Sequence, residues 1–403
     1  MTMTNSMQSG NRYANWIPMK EISSAEDQLF PFSVYHRLRK TNPVRYDDDR
    51  ECWDVFSYED VQYVLKTPKL FSSKRGGDMK GKSMLTMDPP KHTKMRAIVN
   101  KAFTPKAVKQ LEPHIEEVTA FLLGEAKNKD SFDMVDDLAG PLPVIIIAEL
   151  LGVPAEDRRI FKHYSDMMVS GAKDSSDEAV KQMNKQREEG GKFLNGYFKN
   201  IIEERKKEPK EDLISLLIKA EVDGEKLTEA ELLSFCTLLL VAGNETTTNL
   251  IANAARYLTE DEKVQETVRN DLSLVPQLVE ETLRYYPPVQ AIGRVAAEDI
   301  EIRGVPIANG STVISWVASA NRDETKFDDP DTFKLDRKSN PHMSFGFGIH
   351  FCLGAPLARL EAKVALSYLL RHFRIERDQS EELAAIQSPF VFGVRRLPVQ
   401  LLS

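Results

Sequence analysis

Apolar residues recur with helical spacing through most of the middle of the chain, predicting helices at 106–128, 141–151, 178–207, 228–257, 260–273 and 276–286. Elsewhere the pattern shortens and alternates. Val44-Arg45-Tyr46 and Cys52-Trp53-Asp54-Val55-Phe56 flank Asp47-Asp48-Asp49-Arg50 and read as a β-hairpin. Residues 289–318 alternate around Gly304-Val305-Pro306 and Asn309-Gly310, which predicts further hairpins. The expected fold class is mainly α with small β-sheets: helical portions at about 89–286 and 355–373, β-rich portions at about 40–60, 289–318 and 385–403. Thr228 with Glu231, and Thr259 with Glu262, have capping-box spacing and place helix starts. The first of these helices runs roughly 30 residues, or about 45 Å, enough to cross a whole domain as a central helix.

No Pro/Gly/Ser-rich linker divides the 403 residues, so a single domain over 1–403 is expected. Hydrophobic residues at 41% and charged residues at 29% suit a globular chain able to bury a cofactor. The longest apolar runs, Pro143 to Ala148 and Leu238 to Ala242, are far short of the ~20 residues a membrane span needs, so none is expected. Met1 to Gln8 shows neither a basic region nor an apolar core, which points to a cytoplasmic location. Cys52, Cys236 and Cys352 form no disulfide framework, and their odd number fits a reducing compartment. A net charge of −7, without basic-aromatic interleaving, argues against nucleic acid as a partner.

The chemistry concentrates at Cys352, within Phe345-Gly346-Phe347-Gly348-Ile349-His350-Phe351-Cys352-Leu353-Gly354. Gly346 and Gly348 permit positive-φ turns that bring main-chain N–H groups toward one sulfur. Pro356 suits the first turn of a helix expected over Ala355 to Phe373, whose positive end would face Cys352. Both effects favour the thiolate. A thiolate on heme iron favours O–O cleavage. The pattern F-G-x-G-x-H-x-C-x-G resembles the signature of the cytochrome P450 family, a resemblance that extends from about Trp53 to Phe392. It implies the cytochrome P450 fold with its long central helix over heme b, and Cys352 as the ligand of the heme iron.

The resemblance also assigns roles elsewhere. Ala242-Gly243-Asn244-Glu245-Thr246-Thr247-Thr248 is similar to the family's oxygen-binding groove. There Ala242 and Gly243 border the cofactor, and Glu245 and Thr246 are the catalytic pair that handles protons during oxygen activation. The glycine and the β-branched run predict a weak place in the helix, where the ladder opens to admit a water. The alternative is Thr246 bonding back to a carbonyl of its own helix. His92, Arg96, Arg294 and His350 match positions that hold heme propionates, and Phe345, Gly346 and Gly354 belong to the cofactor-binding loop. Glu281 and Arg284 resemble the structural E-x-x-R motif. Thr332 stands where many members supply a further arginine, leaving Arg337 or Arg322 as substitutes.

By position, the substrate pocket would be lined by Met84, Leu85, Leu238, Val241, Ala242, Val289, Ala291, Ile292, Phe390, Val391 and Phe392. Such an apolar lining suits a hydrophobic small molecule such as a steroid, secosteroid, terpenoid or fatty acid. Ser72 to Lys82, with Lys74, Arg75 and Gly76-Gly77, reads as a mobile lid. Met167-Met168-Val169 and Gly190-Gly191 bracket a second. Lys91 to Lys109 carries six Lys/Arg and no acids, a candidate docking surface for an acidic ferredoxin or flavodoxin. Because no dinucleotide fingerprint follows a strand, electrons from NAD(P)H would arrive through that partner and its reductase. The resemblance therefore implies a monooxygenase that takes O2 and inserts one oxygen atom into a C–H bond. A peroxide-driven heme-thiolate enzyme and a non-catalytic heme sensor or carrier are the alternatives, against which the Glu245-Thr246 pair argues.

Overall fold

The computed structural model describes residues 17–75, 83–126, 131–169 and 177–402. At its centre the helix Glu229–Glu260 runs unbroken for 32 residues. Its start is fixed as expected: Thr228 Oγ1 accepts from Glu231 N, and the Glu231 carboxylate accepts from Thr228 N at 3.0 Å. The second expected capping box does not form. Thr259 donates its hydroxyl to Arg256 O at 2.7 Å within its own helix, and Asp261 caps the next helix, Glu262–Asn270, by accepting from the Lys263 and Val264 amides. A carboxylate one residue from the new helix reaches two free N–H groups, whereas Thr259 is still inside the previous turn.

The helix expected over 106–128 is two, Pro105–Lys109 and Glu112–Ala126, with 127 and 128 outside the described residues. Pro113 explains the break: lacking an N–H, it belongs in the first turn of a helix and cannot extend the preceding one. Pro141–Leu150, Asp177–Lys207, Val275–Tyr285 and Ala355–His372 match expectation within a few residues. Ala25–Leu29, Phe32–Thr41 and Tyr58–Lys66 were not anticipated, and the last begins inside the segment read as β-rich.

The hairpin Val44–Asp47/Cys52–Val55 forms as read, with Val44 opposite Val55. It continues into a five-stranded sheet: Cys52–Val55 pairs parallel with Thr312–Ser315, which pairs antiparallel with Ile292–Ala296, and Phe71–Ser72 closes the edge. Ile300–Ile302 and Val305–Ile307 make a separate hairpin. The C-terminal strand Pro398–Leu402 joins Arg374–Arg377 and reaches back to Phe132–Asp133, a strand within the portion read as helical.

The largest apolar cluster surrounds the central helix, which packs on Pro141–Leu150, Asp177–Lys207, Val275–Tyr285 and Ala355–His372. Two smaller clusters lie under the sheet. Among the described residues no helix is long and apolar enough to cross a membrane.

Candidate active site

Cys352 is presented by a loop whose shape depends on two residues. Gly346 and Gly348 have φ of +73° and +70°, the left-handed region expected of them. Gly348 also lies against the end of the helix Tyr58–Lys66, where a Cβ would come within 2.9 Å of Leu65 O. Phe345 O accepts from Cys352 N at 2.8 Å, closing the loop under the cysteine. The cysteine is exposed, and Gly354 caps the helix Ala355–His372 beside it. Withdrawal of the sulfur from water raises the Cys352 pKa, and the Gly354 and Ala355 amides and the charges of Arg96 and Arg359 offset this only in part. The expected N–H groups lie beside the sulfur, but in the protein alone they do not bring the thiol below its usual range.

Arginine and histidine side chains from separate segments gather at this loop. His92 and His350 bring their rings within 4.1 Å, and Ser73 Oγ lies 2.9 Å from His350 Nε2. Arg294, on the strand Ile292–Ala296, is 4% exposed and donates to Gly293 O at 2.9 Å. Arg75, read from sequence as part of a lid, instead lies along Gly293, where a Cβ would meet its Cδ at 3.5 Å. Its Nη1 donates to Ser73 O at 3.4 Å and Leu85 O at 3.3 Å. The pairing of Phe71–Ser72 with the Arg294 strand delivers it there, a contact no sequence pattern announces. The remainder of that proposed lid, 76–82, falls outside the described residues.

These groups oppose one another. Burial, then the charges of His92, Arg294, Arg75 and Arg96, pushes His350 down to about 3. Burial and the Arg75 charge bring Arg294 down to about 9, and His92 is lowered by burial and by Arg96. Asp88 is the carboxylate set against them, and it is already bonded to Ser72 Oγ at 2.6 Å and Ser73 N at 2.8 Å. Both ring nitrogens of His92 are buried without a hydrogen-bond partner. Such a set calls for an anion, and it fits the paired propionates of a heme that Cys352 would ligate.

On the central helix, Thr246 Oγ1 donates to Ala242 O at 2.7 Å. The ladder through Gly243 stays helical, so the expected opening is replaced by this back-bond, the alternative reading of the sequence. Ala242 is exposed and a Cβ at Gly243 would meet nothing, so this turn has open space beside it. Asn249 Nδ2 donates to Glu245 O at 2.7 Å, an amide the sequence reading had passed over.

The E-x-x-R pair is not a surface bridge. Glu281 and Arg284 are 1% and 0% exposed and bond through two contacts of 2.6 and 2.9 Å. Arg337 completes the network, with Nε 3.1 Å from Glu281 Oε2, and Thr332 contributes its carbonyl to Arg284 at 2.9 Å. Arg322 is engaged elsewhere, between the Phe32 and Tyr285 rings.

Two of the expected pocket segments meet: Val289 bridges Val391, Gln290 N donates to Phe390 O at 2.8 Å, and Phe392 N to Pro288 O at 2.9 Å. Ile292 and Val241 are half-buried, and Leu238 packs on the main core. Met84 is buried, Leu85 exposed. The Phe392 ring packs edge-on against Phe32 and tilted against Tyr286, in the cluster that also takes up Ala291. Gly190, inside Asp177–Lys207, lets the helix Arg158–Val169 approach, and Met168 packs at that contact. The stretch between them, 170–176, lies outside the described residues. Two surface cavities of about 200 and 630 Å³ open elsewhere, around Phe103–Leu216 and Gly152–Asp212, away from Cys352.

Three of the six cations of the basic segment have partners from elsewhere in the chain. Lys91 lies 3.3 Å from Glu231 and Lys94 2.6 Å from Glu225, while Lys101 donates to Glu221 O at 2.6 Å. The hairpin Glu221–Val222/Glu225–Lys226 and the start of the central helix, at least 120 residues downstream, supply these partners.

Comparison with known proteins gives one answer. The family model for cytochrome P450 matches residues 46–402. "Cytochrome P450 109" of Bacillus spizizenii is 65% identical over 392 residues, covering 97% of this chain and 96% of the relative. Erythromycin C-12 hydroxylase of Saccharopolyspora erythraea is 41% identical, covering 94% and 96%. The crystal structure of CYP109E1 from Bacillus megaterium in complex with testosterone superposes with a TM-score of 0.89 at 45% identity, covering 94% of this chain and 99% of that one.

Proposed function

The chain belongs to the cytochrome P450 family and is a monooxygenase, and from that premise we propose that it hydroxylates a hydrophobic substrate of steroid-like size, as a single domain carrying heme b. The observation that supports this most is the convergence of the arginines Arg75, Arg96 and Arg294 and the imidazoles His92 and His350 beside the exposed Cys352. Cys352 would ligate the iron, and the arginine charges with the imidazole N–H donors would hold the propionates. When bound, the heme supplies the activation of O2, with one oxygen atom passing into a C–H bond and the other leaving as water.

The protein's share is to bind, orient and deliver protons. Thr246 holds its hydroxyl hydrogen on Ala242 O until a stronger acceptor sits beside that turn. Glu245, one residue before it, is the group that refills the proton. Val241, Val289, Ile292, Phe390 and Val391 offer aliphatic and aromatic surface, and the relative crystallised with testosterone supports a flat polycyclic substrate. Secosteroids, terpenoids and fatty acids share that chemistry. Electrons come from NAD(P)H through a separate ferredoxin or flavodoxin with its reductase, which would dock over Cys352, where Ile349 and Phe351 are exposed.

Turnover of testosterone with a ferredoxin and its reductase tests the reading. The wild type is expected to form hydroxylated product in step with NAD(P)H consumed. Thr246→Ala is expected to retain heme while product per NAD(P)H falls by about tenfold or more and peroxide appears instead. Full coupling in that variant would remove Thr246 from proton delivery, and the absence of product from every steroid, terpenoid and fatty acid offered would remove the substrate assignment.

A further inference from the structure

Adjacent glutamates on the helix Val275–Tyr285 have different tasks. Glu281 turns inward to Arg284 and Arg337; Glu280 turns toward the cysteine loop. Arg359, one turn into the helix that Gly354 caps, binds Glu280 in a bidentate fork, Nε to Oε1 at 2.6 Å and Nη2 to Oε2 at 3.0 Å. Its guanidinium lies 4.4 Å from the centre of the Phe345 ring. Phe345 in turn holds Cys352 N through its carbonyl, so one residue is pinned both by ring and by backbone.

His342 adds a third donor, its Nε2 3.1 Å from Glu280 Oε2, while its Nδ1 accepts from Ser344 N at 3.3 Å. That second bond places the imidazole proton on Nε2. Burial works to raise the Glu280 pKa, but the hydrogen bonds from His342 and Arg359 bring it down to about 2, so the carboxylate is ionised at neutral pH.

Resting on the heme-thiolate reading above, we propose that the Glu280–Arg359 pair is a positioning and potential-setting device: Arg359 clamps Phe345 under Cys352 and directs positive charge at the sulfur, and Glu280 limits how much of that charge the sulfur feels. Reduction adds one electron to a site that already bears the thiolate charge. A neighbouring cation therefore favours the reduced state and raises the potential, and a carboxylate that neutralises the cation lowers it. Both side chains are partly exposed, so added salt screens the effect.

The two halves of the pair predict shifts of opposite sign. In dithionite titrations of the heme-loaded protein, Glu280→Gln leaves Arg359 uncompensated and should raise the reduction potential. Arg359→Gln should lower it, and Arg359→Lys, which restores the charge without the fork, should recover most of that loss. Both shifts should shrink as salt is raised. A purely structural role would move Glu280→Gln and Arg359→Gln in the same direction or leave both unchanged, and either result overturns the proposal. Should one variant fail to fold, the other still fixes a sign, and the salt dependence and the lysine variant separate charge from packing. A wild type without a thiolate-ligated heme would refute the parent reading instead, an outcome visible in its spectrum before any variant is titrated.

Discussion

Gly346 and Gly348 look alike in sequence and differ in what holds them. Both need positive φ, which costs an alanine roughly 1–2 kcal/mol. A Cβ at Gly346 would lie 3.7 Å from its nearest neighbours, an ordinary contact, whereas at Gly348 it would press on Leu65 O and on Lys66 Cα at 3.2 Å. Gly346→Ala should therefore cost about 1–2 kcal/mol in thermal unfolding. Gly348→Ala should cost on the order of 3 kcal/mol, since overpacking against backbone is added to the strain. Equal losses would mean that the helix Tyr58–Lys66 does not brace the cysteine loop. The need for these glycines could be read from the motif; which of them is also a close contact could not, because Leu65 is nearly 300 residues away along the chain.

At the scale of elements, the helix Ala355–His372 carries a carboxylate its environment opposes. Glu361 is buried, and burial raises its pKa from 4.5 to about 8. The folded chain therefore keeps a proton there that the unfolded chain gives up. This term is fully present below about pH 4.5, declines as pH rises toward about 8, and is constant above that. Glu361→Gln, which cannot ionise, should melt higher than the wild type at pH 8 and differ least near pH 4.5. A difference independent of pH would show that the carboxyl has a partner in solution. The elements themselves were well anticipated where the signal is local, as with Thr228 and Glu231. Where two capping residues compete, as at Thr259 and Asp261, spacing alone selected the wrong one.

For the molecule as a whole, the sequence made the mainly α architecture and the cysteine loop legible because both rest on short-range patterns. Arg337 joining Glu281, Arg75 joining Arg294, and Glu221 to Glu231 covering the lysines of 91–101 were not legible, since each joins segments that only the fold brings together. The same gap explains Phe392, apolar and in the expected place by position, whose ring packs into the cluster around Phe32. The central claim is that this assembly holds a heme through the Cys352 thiolate. The most direct test is the absorbance difference spectrum of the dithionite-reduced protein with and without carbon monoxide, for the wild type and Cys352→Ala. The account predicts the strongly red-shifted Soret band of a thiolate-ligated ferrous carbonyl in the wild type and its loss in the variant. A wild-type band at the shorter wavelength of a neutral or histidine ligand, or a red-shifted band that survives in Cys352→Ala, would contradict it.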